Sequence, residues 1–299
     1  MTSALPPLDA SSLRAALAAP GGGYARVEVV AETGSTNADL VAAAAADPAA
    51  WPDLSVLLAD SQTTGRGRLD RSWSAPAGTS MVSSILLRPT HGGAALPARA
   101  YGWLSVLAAI ALVDALRKLT GTEPALKWPN DVVLNGRKLS GLLAQMVPAA
   151  GASLGDVLGM VPAVVVGIGT NVAQARADLP VETATSLALE GAATLDRGVL
   201  LPAFLNGFAG LYRQFCAVAG DASAPLEGGS SVRALATARM ATLGATVRAE
   251  LPGGGVLRGT AVGLDADGAL LLTDAAGTTH TVSAGDVVHL RRDGGGGYA

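Results

Sequence analysis

From Val27 the chain alternates apolar and polar positions, the period of a half-buried strand. Ser35-Thr36-Asn37-Ala38-Asp39 then puts a capping side chain ahead of the alanine-rich run Leu40–Ala46, which predicts a helix. Leu54–Ala59 is apolar at every position but Ser55 and reads as a buried strand. It leads into a Gly/Arg loop at Gly65, and Met81–Leu87 reads as the strand on the far side. Leu104–Leu119 predicts a long helix. Val132–Leu134 and Leu139–Val147 flank Asn135-Gly136, a dipeptide that supplies the positive φ of a tight turn, so the two runs predict a hairpin. Val161–Ile168 predicts another strand, and Leu200–Ala219 has apolar residues at helical spacing. Residues 1–25 are rich in Ala, Pro and Gly, with at most one short helix at Ser11–Ala19.

The pattern changes after Asp221. Short β-type runs at Thr246–Leu251, Val256–Leu264, Ala269–Thr273 and His280–Val282 are separated by turn clusters rich in Gly and Asp. Strands this short and this closely spaced predict a small antiparallel barrel. The expected organisation is an extension over 1–25, an α+β body of mixed strands and helices over 26–222, a barrel over 232–292 and a flexible tail over 293–299.

A chain of 299 residues, 49% hydrophobic and 15% charged, can bury the cores of two domains. Its net charge of -3 offers no bulk positive field for nucleic acid or anionic lipid. Cys216 is the single cysteine, which excludes an internal disulfide and fits a reducing cytoplasm. His91, His280 and His289 form no ligand cluster with it, so a structural zinc site is not expected. The apolar run Trp103–Val113, closed by Asp114, is too short to span a bilayer and reads as a core helix. No basic segment precedes an apolar one at the N-terminus, so no signal peptide is expected and the protein is placed in the cytoplasm. Only Lys118, Lys127 and Lys138 among 21 basic residues are lysine; a preference for arginine codons explains the bias, but two of the three fall in the motifs below.

Gly65-Arg66-Gly67-Arg68, followed by Arg71 and Trp73, joins backbone donors to guanidinium groups, a combination suited to phosphate. The same residues also suit a solvated loop or an RNA-binding segment, although aromatics at 4% leave few stacking partners. In Lys127-Trp128-Pro129-Asn130-Asp131, proline favours extended backbone before it and sets Asn130 and Asp131 beside the hairpin. Asp131 can close a turn, or act on a reacting amine or a metal. Lys138, close to Gly141, can point into a cleft or into solvent. Gly167-Ile168-Gly169 begins like a dinucleotide fingerprint, but Val172 stands where the third glycine is needed, so that reading fails.

Taken together in this order, Ser35-Thr36-Asn37, Gln62, Gly65–Arg68, Trp73, Lys127–Asp131, Lys138-Leu139-Ser140-Gly141-Leu142-Leu143 and Gly167–Asn171 resemble the motifs of the biotin protein ligases, from about Glu32 to Leu290. The resemblance implies a mixed sheet with helices, related to class II aminoacyl-tRNA synthetases, followed by an SH3-like barrel. It implies ATP-dependent attachment of biotin, through biotinyl-5′-AMP, to a lysine of the biotin carboxyl carrier domain of acyl-CoA or pyruvate carboxylases. By the same resemblance, Lys138, Arg68 and Asp131 are the catalytic candidates. Ser35, Thr36, Asn37, Gln62, Arg66, Gly67, Arg68, Lys138 and Gly141 are the candidates for biotin. Gly65, Arg66, Arg68, Arg71, Trp73, Lys127, Asn130 and Asn171 are those for ATP or the adenylate. Mg²⁺ is expected with ATP, held mainly by phosphates, with Asp131 the candidate protein ligand. The loop departs from the family pattern at Leu69-Asp70. Members that also repress transcription carry an N-terminal winged helix, and the 34 residues before Ser35 lack its pattern, so no DNA partner is expected; the net charge and the short apolar run give no reason to expect a membrane partner either. The alternatives are a lipoate or octanoyl transferase on a related fold and an RNA-binding module built on the arginine loop and barrel.

Overall fold

The computed structural model describes residues 5–68, 71–148, 161–251, 254–283 and 286–289. Leu69-Asp70 and the tail over 293–299 lie outside them. The Asp9 carboxylate accepts the N–H groups of Ser11 and Ser12 and so starts α1 (Ala10–Leu17). The alternating run forms β1 (Arg26–Thr33), and Ser35 Oγ caps α2 (Thr36–Ala46) by accepting the Ala38 N–H at 3.4 Å. β2 (Ser55–Gln62) runs parallel to β1. The Gly/Arg loop holds a short antiparallel ribbon, β3 (Gly65–Arg66) with β4 (Ser72–Trp73). Then follow β5 (Ser80–Leu87) and a small hairpin, β6 (Thr90–His91) with β7 (Ala94–Ala95).

After the long helix α3 (Gly102–Thr120) come β8 (Ala125–Lys127), β9 (Asp131–Leu134), β10 (Arg137–Met146) and β11 (Val164–Asn171). Asn135 at φ 49° and Gly136 at φ 71° make the tight turn between β9 and β10, as the Asn-Gly dipeptide predicts. The main sheet has the order β1-β2-β5-β11-β10-β9-β8, antiparallel after its first pair. α3 and α4 (Arg197–Ala217) pack together over one face, where Trp103, Phe204, Phe208, Tyr212 and Phe215 are sealed from solvent. Burying each such side chain contributes about 1.5–3 kcal/mol. α2 covers one end of the opposite face, with Leu40 and Ala44 against Leu57, Leu86 and Val165. The rest of that face holds the cleft described below.

The length argument made for the apolar run around Trp103 is corrected. A one-turn 3-10 segment at Ala98–Tyr101 and a more polar last turn extend it to the 23 residues Ala98–Thr120, long enough to cross a bilayer. Burial identifies it as a core helix instead: 72% of its most apolar stretch is covered by the protein.

α5 (Val232–Arg239), which the sequence reading missed, is tied to α3 by Arg239, whose guanidinium donates to both Asp114 oxygens at 2.7 and 3.0 Å. The barrel strands follow: β12 (Thr246–Glu250), β13 (Val256–Leu264), β14 (Leu270–Thr273), β15 (Thr279–Val282) and β16 (Asp286–His289), in the order β15-β14-β13-β12-β16. Every pair is antiparallel, in keeping with an SH3-like domain. The barrel is seated on the body by polar contacts. Ala241 N donates to Leu126 O at 2.8 Å, Trp128 Nε1 to Gly268 O at 3.0 Å and Trp103 Nε1 to Ala266 O at 2.9 Å.

Arg197, 3% exposed at the start of α4, pairs with Asp60 at 2.7 Å and donates to Ser80 O and Pro6 O. Asp60 in turn accepts the Leu8 N–H, so one ion pair ties the N-terminal segment, β2, β5 and α4. Removing one partner of a buried pair strands the other. Arg197→Met is therefore expected to destabilise the protein by about 3–5 kcal/mol, read from urea denaturation against wild type.

Candidate active site

Side chains alternate across each strand, so β5, β11 and β10 send one set of positions to the helical core and the other to the opposite face. On that second face stand Val82 and Ser84 from β5, Gly167 and Gly169 from β11, and Gly141 from β10. Gly141 and Gly169 are direct cross-strand partners. With no side chains there, the backbone itself forms the floor of a cleft of about 640 Å³. The floor is already in close contact with what lies over it. A Cβ built on Gly169 would lie 2.5 Å from the Trp73 indole, and one on Gly167 would lie 2.7 Å from Asn37 Oδ1. The failed dinucleotide fingerprint thus has a different physical reason: these glycines lie inside a strand and give room above a sheet.

The N-terminus of α2 closes one end. The Gln62 side-chain oxygen accepts both the Thr36 N–H, at 2.9 Å, and the Thr36 hydroxyl, at 3.1 Å; Ser84 donates to the same hydroxyl at 2.8 Å. Asn37 Nδ2 donates to Leu143 O and Gln145 Oε1, while its buried Oδ1 has no hydrogen-bond partner among the described residues. Trp73 Nε1 is likewise buried without a partner. An unmet buried polar atom costs about 1–3 kcal/mol, so both suit a ligand with a donor N–H at one point and an acceptor oxygen at another.

The other end carries the charge. Lys138 Nζ meets Asp131 Oδ1 at 2.7 Å, with the Asp131 side chain 10% exposed. Lys127 is buried beside them. Arg68 Nη1 donates to Asn130 Oδ1 at 2.9 Å, and Asn130 is fixed in turn by Leu142 through two hydrogen bonds of 2.6 and 2.9 Å. The Gly67 N–H reaches Arg71 O at 2.6 Å, which folds the loop back on itself. Five cations, Arg66, Arg68, Arg71, Lys127 and Lys138, line the cleft against two carboxylates, Asp131 and Glu250. A positive pocket in a chain of net charge -3 is a local device for anions.

Ser35, Thr36, Asn37, Gln62, Arg66, Gly67, Arg68, Arg71, Trp73, Lys127, Asn130, Asp131, Lys138, Gly141 and Asn171 all line this one cleft. Gly65 does not. It sits in the ribbon, where a Cβ would strike Trp73 O at 2.5 Å. Asn171 lines the cleft with its amide already engaged, donating to Thr185 O and accepting from Gln174. Sequence reasoning missed the roof, Pro180, Val181, Thr183 and Ala184, and the two barrel residues at the rim, Glu250 and Val287. No motif marks these residues, and their place depends on chain segments far apart in sequence.

A two-domain protein with an anion-binding cleft on one face of a mixed sheet is the class of molecule this geometry defines, and comparison with known proteins narrows it. The family described as "Biotin/lipoate A/B protein ligase family" matches residues 33–159, and "Biotin protein ligase C terminal domain" matches residues 242–290. The chain is 40% identical to the biotin–[acetyl-CoA-carboxylase] ligase of Mycobacterium tuberculosis (strain ATCC 25618 / H37Rv), over 96% of this chain and 97% of that one. It is 35% identical to the Paracoccus denitrificans enzyme of the same name, over 83% and 95%. The structure of the Aquifex aeolicus biotin protein ligase in complex with biotin and ATP superimposes with a TM-score of 0.66 at 26% identity, covering 90% of this chain and 100% of that one. The chain belongs to the biotin protein ligase family.

The glycine floor yields a direct test. Gly169→Ala puts a methyl group into the Trp73 indole. Overpacking of this kind costs about 1–3 kcal/mol. The variant is therefore expected to lose about that much stability in urea denaturation against wild type.

Proposed function

We propose that the protein attaches biotin to a lysine of a carboxylase carrier domain in two steps within this cleft. The observation that carries the reading is the meeting of the Lys138–Asp131 pair, the arginine loop and the glycine floor in one cavity. In the first step an oxygen of the biotin carboxylate attacks the α-phosphorus of ATP, the bond to the β-phosphate oxygen breaks, and pyrophosphate leaves. Both reactants are anionic. At 4 Å a pair of unit charges repels by about 4 kcal/mol at an effective dielectric near 20. Lys138 at the carboxylate, with Arg66, Arg68, Arg71 and Lys127 towards the phosphates, offsets that repulsion and stabilises the charge that builds up in transfer. Thr36 and Gln62, with Ser35 and Asn37 beside them, face the ureido ring, while Trp73 and the glycine floor take its apolar body.

In the second step the carrier's lysine nitrogen attacks the acyl carbon, an amide forms and AMP leaves. The amine must shed a proton, and we assign its removal to Asp131, a carboxylate that lines the cleft. Once the biotin carboxylate is an anhydride it no longer competes for Lys138, so the Lys138–Asp131 pair steadies the site for transfer.

Among the described residues no group of three acidic, His or Cys side chains converges to hold a metal. Asp131 is engaged by Lys138, so an Mg²⁺ ion that arrives on ATP would be held mainly by phosphate and water ligands. Bound there, the ion would neutralise phosphate charge. This reaction belongs in the cytoplasm, where ATP and unmodified carboxylases meet.

Lys138→Ala is expected to lower biotin-dependent exchange of pyrophosphate into ATP by about a hundredfold or more, while the variant stays folded by circular dichroism although Asp131 loses its ion-pair partner. Lys138→Arg is expected to stay poor, because a planar fork does not replace a point charge. Equal exchange with lipoate in place of biotin would overturn the choice of substrate. Removing Mg²⁺ with EDTA is expected to stop exchange while leaving biotin binding intact.

A further inference from the structure

Lys138 is held by more than its ion pair. The pairing of β9 with β10 is regular at Arg137 and Lys138, then slips by one residue between Lys138 and Ser140. On its other edge Lys138 pairs with a segment from beyond β11: its N–H donates to Thr183 O, and its carbonyl accepts the Thr185 N–H, each at 2.8 Å. Where Lys138 points therefore depends on how that segment sits against the β9–β10 turn. One side chain ties the two together. Glu190 accepts Arg137 Nη2 on Oε1 at 2.6 Å and Asn135 Nδ2 on Oε2 at 2.7 Å; the Thr185 hydroxyl also donates to Oε1. The carboxylate is nearly sealed, with its side chain 5% exposed. Asn135, Arg137 and Thr185 thus converge on one acidic group from both sides of Lys138. Burial works against the charge of Glu190, but the hydrogen bonds from Thr185 and Asn135 and the Arg137 guanidinium outweigh it and hold its pKa below the usual carboxylate value.

We propose that Glu190 is a positioning residue for the first reaction step, cross-tying the Asn135–Arg137 turn to Thr185 so that Lys138 Nζ is held where a biotin carboxylate arrives. The proposal rests on the reading that Lys138 faces that carboxylate. Glu190 does not line the cleft and touches no reacting atom. Its effect must therefore fall on recognition of the carboxylate and spare recognition of the ring system.

The test compares biotin with its neutral alcohol analogue, in which –CH₂OH replaces the carboxylate, by titration calorimetry on wild type, Glu190→Ala, Glu190→Gln and Lys138→Ala. In Glu190→Ala the Kd for biotin is expected to rise about tenfold or more, since even ångström-scale misplacement is costly, while the Kd for the alcohol stays at its wild-type value. Glu190→Gln keeps the volume and one acceptor and is expected to fall between. It carries the test alone if the alanine variant does not fold. Equal weakening of both ligands would mean a general loss of structure and overturn the proposal, as would an unchanged biotin Kd in a folded variant. Lys138→Ala separates the two ideas. If it discriminates biotin from the alcohol as wild type does, the Lys138 reading fails. If it loses that discrimination while both Glu190 variants keep it, only the role of Glu190 fails.

Discussion

The site rests on an absence of side chains at three neighbouring points of one sheet face. Where that face carries Leu57, Leu86 and Val165, α2 packs against it and closes it. Where it carries Gly141, Gly167 and Gly169, no side chain rises from the strands, so Asn37, Trp73 and Lys138 reach the backbone and a cleft lies beside them. One sheet face thus supports a helix at one end and a ligand at the other, and strand alternation decides which residues do which. Asn37 and Trp73 approach the bare backbone more closely than any Cβ would allow. The glycines therefore set how closely Asn37 and Trp73 approach the floor.

Charge is the second constraint. The cations of the cleft come from two sources: the loop after β2, and strands β8 and β10 at the far edge of the sheet. They are kept from dispersing by neutral or acidic groups. Asn130 holds Arg68, Asp131 holds Lys138, and Glu190 holds the turn from which β10 starts. Such an arrangement is preorganised, so little reorganisation is required when an anion enters. It also explains why lysine survives at two of its three positions in an arginine-rich chain. A compact ammonium can sit between Asp131 and a second carboxylate as a point charge, which a planar guanidinium fork does not replace.

Most strands and the two long helices were legible from the chain alone, because each follows from local pattern, whereas the candidate residues found in the cleft came from the resemblance of the motifs to a family. The β9–β10 turn follows from Asn135-Gly136, and the start of α2 from Ser35. What was not legible depends on distant partners. β8 is three residues long and is a strand only because β9 pairs with it. β16 exists through its pairing with β12, and α5 is fixed by Arg239 reaching Asp114 across 125 positions. Pro180–Ala184 reads as an ordinary loop until its pairing beside Lys138 is known. The wrong length argument for α3 has a different cause. It measured only the stretch without charge, Trp103–Val113, although the helix predicted over Leu104–Leu119 is close to the one observed.

The Lys127–Asp131 segment shows why so short a motif admits little change. Its two halves face different domains. Leu126 O and the Trp128 N–H and indole are engaged by Ala241, Thr242 and Gly268 of the C-terminal region. Two residues later Asn130 holds Arg68, and Asp131 holds Lys138. Six residues of chain, Leu126–Asp131, thus carry both the contacts to the barrel and the groups that hold Arg68 and Lys138. Glu250 and Val287 reach the rim of the same cleft from the barrel side. The small domain is thus part of the wall, and the tryptophan in the motif is the reason that wall stands where the lysine needs it.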